Sequence, residues 1–390
     1  MKKKWVFTLG SPAIGGGTNV IFEHAAKCVD NGIDVYVLCE QKVEEKDYNW
    51  HTKAHKLKFI TYEEAKNIKF DVAIATWWRT VYELYRVNAN KYIYFVQSIE
   101  SKFYNKNEEY GLVMLAEMTY FLGLKVITEA TWIKEYLENY GVEAILVHNG
   151  IRKDIFKTEG EKYQKCDGLR VLVEGPIDVG FKNVPKTIEL VKQSKADEIW
   201  LLTSSKVEKY NGVDKVFSQI PTTECAKIYR SCDVLVKLSY VEGMFGPPLE
   251  MFHCGGTSIV YDVTGHDEYI KNNYNGIVVR TDDEIEIITN INKLKEDPKL
   301  LKKLKQGAVK TADEWINWET SSQKFYEAVS LLEEKESISQ LELENKSKYF
   351  FDIYVKYETK PTPSIRRQIG NILRNNHPII YKIYRKIIRR

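Results

Sequence analysis

Short apolar runs alternate with amphipathic stretches through the first half of the chain. Residues 5–9, 34–38, 71–75, 91–96 and 125–127 are dominated by apolar side chains, the pattern of strands buried on both faces of a parallel sheet. Between them, 19–29 and 131–140 space their apolar residues along one helical face. His148-Asn149-Gly150 predicts a turn between domains. The alternation then restarts, with 170–174, 198–202, 214–220, 233–238, 258–261 and 276–279 reading as a second set of strands. From about 282 to 347 the pattern is helical and highly charged. Two β/α series in succession predict two doubly wound domains, with ligand in the crevice at the carboxyl ends of the strands.

Composition narrows this further. At 390 residues, 44% hydrophobic and 28% charged, the chain can bury two separate cores and is too apolar for extended disorder. No stretch approaches the ~20 apolar residues of a membrane span. Lys2-Lys3-Lys4 leads into a strand-like run, which does not read as a signal peptide. The six cysteines are scattered without a C-x-x-C pair. That predicts reduced thiols in a cytoplasmic protein and neither a disulfide framework nor a zinc site. The net charge of +3 conceals an asymmetry: residues 361–390 hold eight Lys/Arg and no Asp/Glu, leaving the rest of the chain at −5.

The densest chemistry lies in Glu242-Gly-Met-Phe-Gly-Pro-Pro-Leu-Glu250, followed by Met-Phe-His-Cys-Gly-Gly256. Proline suits the first turn of a helix, where its missing N–H has no partner to lose. Pro247 and Pro248 therefore predict a helix start that sends Glu242 into a cleft and sets Glu250 beside a positive helix end. An isolated pair of glutamates would read as solvated surface. The glycines, the prolines and the downstream Gly265-His266 and Asn275-Gly276 argue against that. The block resembles the Glu-x7-Glu signature of retaining family 4 glycosyltransferases, which use sugar nucleotides. The resemblance extends over roughly residues 5–320 and is strongest at 239–279.

That resemblance implies a GT-B fold, in which two Rossmann-like domains face a central cleft. The first, over 1–160, would take the acceptor side and the second, over 161–320, the nucleotide sugar. A helix over 321–347 would cross back to the first domain, ahead of a basic amphipathic tail at 348–390. The resemblance also implies residue roles. Glu250 would hydrogen-bond the donor's ribose hydroxyls, Glu242 would lie near the transferred sugar, and backbone N–H groups of Met244, Phe245 and Gly246 would face sugar and phosphate. The glycine at 246 stands one place later than in the commonest version. Such donor sites work without a metal, cations and helix ends stabilising the departing diphosphate, and the chain has no Asp-x-Asp motif of the GT-A type. The expectation is no cofactor and no metal, with a nucleoside diphosphate sugar as donor substrate.

Three other segments carry candidate residues. In Ser11–Gly17, glycines let backbone N–H groups approach an anion at a helix start, although the segment is neither a Walker loop nor G-x-G-x-x-G. The resemblance assigns Gly16 and Gly17 to the donor. After residue 174 it assigns Lys182 to the diphosphate, but Pro176 stands where relatives carry arginine, so one of two expected cations is missing. Gln97, Ser98 and Glu100 follow a strand where many relatives have a histidine, as in a subgroup that builds bacterial surface polysaccharides. Glu100 could orient or deprotonate an acceptor hydroxyl, or simply close a strand end. Trp77-Trp78-Arg79 reads chiefly as packing and Asn149 as a hinge residue.

The tail places Ile365, Ile369, Ile372 and Leu373 on one helical face and most of its basic residues on others. Over 365–390 this suits an anionic membrane surface better than nucleic acid, for which no recognition motif is present. The expected protein is a retaining, metal-independent glycosyltransferase on the inner face of the cell membrane. It would move a hexose or deoxyhexose to a carbohydrate acceptor, a lipid-linked surface polysaccharide intermediate. Two alternatives stand beside it: a sugar-nucleotide epimerase of the same fold, and a non-catalytic sugar-nucleotide-binding partner of another transferase.

Overall fold

The computed structural model describes residues 2–165 and 167–358. The membrane assignment of 365–390 falls outside the described residues. Seven parallel strands build the first sheet: β1 (Lys4–Thr8), β2 (Asp34–Cys39), β3 (Lys58–Thr61), β4 (Phe70–Ala75), β5 (Ala89–Val96), β6 (Lys125–Thr128) and β7 (Ala144–Leu146), in the order β3-β2-β1-β4-β5-β6-β7. Six more build the second: β8 (Arg170–Glu174), β9 (Glu198–Thr203), β10 (Lys215–Ser218), β11 (Val234–Lys237), β12 (Thr257–Tyr261) and β13 (Ile277–Val279), in the order β10-β9-β8-β11-β12-β13. Both are doubly wound, as the alternation predicted.

Central strands are covered on both faces, which is why their runs are continuously apolar. In β1, Trp5 and Phe7 point to one side and Val6 to the other, and all three are fully buried. Trp5 and Phe7 meet Tyr326 and Phe325, with ring centroids 5.6 and 6.1 Å apart. Those partners belong to the helix Trp318–Glu333, started by Asn317, whose side chain accepts the Thr320 N–H at 2.8 Å. Phe325 also stacks on His24 of the helix Gly16–Asp30 at 4.2 Å. After the second domain, then, the chain returns to pack on the first. The segment joining the domains passes directly over this helix start. A Cβ on Gly150 would lie 2.4 Å from backbone atoms of Asn317 and Trp318, so only glycine fits.

A last helix, Gln340–Glu358, lies beside the helix Tyr110–Met118. It runs unbroken through the expected boundary between 347 and 348, because its apolar residues continue to find the first domain, Tyr357 meeting Tyr110 at 5.5 Å. Among the described residues no helix is long and apolar enough to cross a membrane.

Candidate functional site

In a doubly wound sheet the ligand crevice opens where the strand order reverses. These points lie between β1 and β4 in the first domain and between β8 and β11 in the second. The loops at the two carboxyl edges meet. Phe103, after β5, stacks on Phe181, after β8, with centroids 4.6 Å apart and planes within 4°. Trp132 donates its indole N–H to the Gly243 carbonyl at 3.0 Å. Glu268 accepts from Thr131, backbone and hydroxyl, and lies 2.9 Å from His148. Burial works against the charge of Glu268, but those hydrogen bonds hold its carboxyl below the usual range.

The loop after β11 carries Glu242, placed by two local ties. The 3-10 turn Gly180–Lys182 presents Phe181 O to the Tyr240 N–H at 2.8 Å, and the Asn183 amide donates to Leu238 O at 3.1 Å. Lys182 thereby reaches across, its ammonium donating to Glu242 Oε2 at 2.8 Å. Lys237, the last residue of β11, lies 3.8 Å from Glu242 Oε1, an oxygen with no hydrogen-bond partner. Glu242 is only 6% exposed. Burial opposes its ionisation, yet Lys182 and Lys237 outweigh it and hold the carboxyl below its ordinary value. The result is a buried carboxylate clamped by two cations at the switch point.

Glu250 sits in the second turn of the helix Gly246–His253, which starts at Gly246 ahead of both prolines. The expectation put it at the helix start; the helix begins earlier because Gly246 already adopts its geometry. Glu250 keeps some exposure. Burial and then the neighbouring Glu174 push its carboxyl up to about 8, against a Tyr229 hydrogen bond that favours its charge. Gly246 has nothing within 4 Å of where a Cβ would stand, and its helix has no side-chain cap; Pro247 and Pro248 carry no N–H, and the Leu249 N–H donates to the Tyr269 hydroxyl. The Phe245 ring is fully buried, and its carbonyl accepts the Tyr269 hydroxyl. The Met244 N–H, expected to face sugar or phosphate, donates instead to Glu129 at 3.1 Å.

Glu129, which follows β6, was not among the sequence candidates. It is 5% exposed and also accepts from the Asn149 amide at 2.9 Å. Burial pushes it up to about 7, with Glu242 adding to the shift and the two hydrogen bonds opposing it. In the first domain, Gly16 and Gly17 open an uncapped helix. A Cβ on Gly17 would lie 3.2 Å from Gln97 Oε1, a buried oxygen without a hydrogen-bond partner. Gln97 therefore lies against the glycine turn, and its carbonyl lies against Gly243. Glu100 stands apart from this group. It accepts the Trp78 N–H at 2.7 Å and the Tyr94 hydroxyl at 2.9 Å, is 6% exposed, and is raised to about 8 by burial. That position caps a short helix and is closed to an acceptor. Among the described residues there is no cluster of three or more potential metal ligands.

Two parallel doubly wound domains meet at the carboxyl edges of their sheets, an architecture in which a ligand crevice opens at the switch points. Residues 186–311 match the family described as Glycosyl transferases group 1. An uncharacterized glycosyltransferase of Methanocaldococcus jannaschii is 25% identical over 219 residues, 53% of this chain and 60% of that protein. Over 90 residues, 23% of this chain and 24% of its own, the N,N'-diacetylbacillosaminyl-diphospho-undecaprenol alpha-1,3-N-acetylgalactosaminyltransferase of Campylobacter jejuni is 32% identical. The chain thus matches less than two thirds of the length of either relative. Among solved structures, sucrose-phosphate synthase from Thermosynechococcus elongatus superposes with a TM-score of 0.71 at 15% identity, over 85% of this chain and 99% of its own. HepE of Anabaena in complex with UDP-glucose superposes with a TM-score of 0.68 at 15% identity, over 84% and 99%. The fold is GT-B, and residues 186–311 of its second domain are similar to the group 1 glycosyl transferases.

Proposed function

We propose that the chain is a retaining, metal-independent glycosyltransferase of the family 4 type. It moves a hexose or deoxyhexose from a nucleoside diphosphate sugar to a carbohydrate acceptor. The observation that carries this reading is the Lys182–Glu242–Lys237 cluster at the switch point of the second sheet, two members of which, Lys237 and Glu242, lie within the segment with the family match. A buried carboxylate held ionised by lysines suits the neighbourhood of an oxocarbenium-like centre, while cations and uncapped helix starts stabilise a departing diphosphate. Retention proceeds by same-face displacement, the leaving phosphate oxygen taking the proton of the acceptor hydroxyl. Glu250 engages the ribose hydroxyls. The Campylobacter relative, whose name specifies a diphospho-undecaprenol-linked sugar, supports a lipid-linked glycan as acceptor. Contact of 365–390 with anionic lipid at the inner face of the cell membrane would bring the site to it.

The test is melting in the presence of UDP, GDP, dTDP, ADP and CMP, with and without EDTA, followed by turnover of the matching sugar nucleotide. A ligand at a hundredfold over its Kd adds ~2.7 kcal/mol of stability. One diphosphate standing out, unaffected by EDTA, with sugar transfer to a lipid-linked acceptor, is the expected result. Donor isomerised without acceptor would replace this reading with an epimerase. Tight binding without transfer or hydrolysis would replace it with a non-catalytic binding partner. Sedimentation with anionic vesicles, lost on deleting 365–390, checks the membrane contact.

A further inference from the structure

β8 and β11 flank the switch point, and their register pairs Val173 with Val236. The next residue on each strand is charged: Glu174 on β8 and Lys237 on β11. Lys237 is 3% exposed. Its ammonium donates to Glu174 Oε2 at 2.7 Å and to Glu174 O at 3.1 Å, and lies 3.8 Å from the unpartnered Glu242 Oε1. Burying an ammonium is costly unless it is paired, and the preceding core positions of both strands are apolar and fully enclosed. Packing alone gives no reason for a lysine here. Burial opposes its charge, but Glu174 and Glu242 outweigh it and keep Lys237 above the ordinary lysine range.

The backbone beside this lysine is a buried glycine, whose N–H donates to Leu202 O at 3.0 Å. Gly175 has φ of +139°, and a Cβ there would stand 3.4 Å from Lys237 Nζ and 3.8 Å from Lys182 Cβ. Pro176 follows it with neither charge nor N–H. Gly175 is therefore flanked by two lysine side chains from different elements, with Val184 on its remaining side. We infer that Lys237 is the second cation of the diphosphate subsite, supplying from β11 the charge that Pro176 does not supply from the loop. Glu174 competes with the phosphate oxygens for the same ammonium. This rests on the donor-site reading above.

The competition gives a test that misfolding cannot imitate. Titration calorimetry would use whichever of UDP, GDP, dTDP or ADP stabilises the protein, alongside its own nucleoside. Glu174→Gln keeps size and an acceptor oxygen but removes the competing charge, so diphosphate affinity should rise about three- to tenfold while nucleoside affinity stays fixed. Lys237→Met should weaken the diphosphate at least about tenfold and leave the nucleoside unchanged, with Lys237→Arg recovering part of the loss. A wild-type protein that binds no diphosphate would overturn the donor reading and this inference together. A wild type that binds while Glu174→Gln shows unchanged or weaker diphosphate affinity would overturn the inference alone. So would a Lys237→Met that shifts nucleoside and diphosphate equally.

Discussion

Gly243 lies in the seam between the two domains, and adding one methyl group there has a calculable consequence. A Cβ on Gly243 would stand 2.1 Å from the Gln97 carbonyl oxygen and 2.9 Å from Glu129 Oε1, both in the other domain, whereas real Cβ contacts essentially never fall under 3.0 Å. Gln97 O is backbone at the end of a buried strand and cannot swing aside. In Gly243→Ala the domains must therefore part locally by at least 0.9 Å. Two cross-domain hydrogen bonds start from this loop, Trp132 to Gly243 O at 3.0 Å and Met244 N–H to Glu129 at 3.1 Å. The same displacement carries both beyond hydrogen-bond reach. A neutral bond contributes about 1 kcal/mol and one to a carboxylate about 2 kcal/mol, so closure should weaken by roughly 3 kcal/mol, or about a hundredfold. Each domain keeps a hydrophobic cluster of its own beside the one they share, so near-full melting cooperativity should persist. Interdomain distance, read by paired fluorophores on the two domains, should lengthen, and kcat/KM should fall by a similar factor. Gly246→Ala, whose Cβ meets nothing within 4 Å, is the control and should leave that distance unchanged. An unaltered distance and turnover in Gly243→Ala would refute the argument that this loop is the closing contact.

Three further outcomes follow from other parts of the structure. Glu250→Ala should weaken nucleotide binding, whereas Glu242→Ala should lower kcat by roughly a hundredfold or more with nucleotide binding largely kept; unchanged turnover in both sinks the site assignment. Phe325→Ala, which empties a position packed on Phe7 and His24, should cost about 3–5 kcal/mol in denaturant unfolding, and a loss under 1 kcal/mol would mean the returning helix is not part of the first core. Stability should fall from pH 6.5 to 8.5. Glu129, Glu100 and Glu250 are raised to about 7, 8 and 8 in the fold, above the unfolded 4.5, so their contribution is complete below 4.5 and is lost as pH rises through 7–8. The buried His24 and His253 are depressed to about 3 and 4 and act in the opposite sense, but only below their ordinary 6.5. Glu100→Gln should flatten the fall in melting temperature, and a wild type that gains stability over this window contradicts the burial of these carboxyls.

What the sequence could and could not convey follows from where each residue finds its partners. Central strands were legible because burial on both faces leaves a run of apolar letters. The edge strands β3 and β7 were not. Lys58–Thr61 has no fully buried residue and Ala144–Leu146 is three residues long, too little for either periodicity to register. The GT-B architecture was readable because it rests on the alternation, which each strand and helix displays locally. The seam between domains has no such local record. Glu129 meets Met244 across 115 residues and Thr131 meets Glu268 across 137, while within the second domain Lys182 meets Glu242 across 60, so spacing along the chain carries none of these pairings. One signal was nevertheless present. A charged residue inside a run otherwise apolar enough to be buried must have a partner, because its desolvation is uncompensated without one. Lys237 within 233–238 is such a residue, and Glu129, directly after β6, is another. Reading those runs for their exceptions, rather than for their apolar character, would have pointed to both the switch-point lysine and the carboxyl group that holds the Met244 backbone.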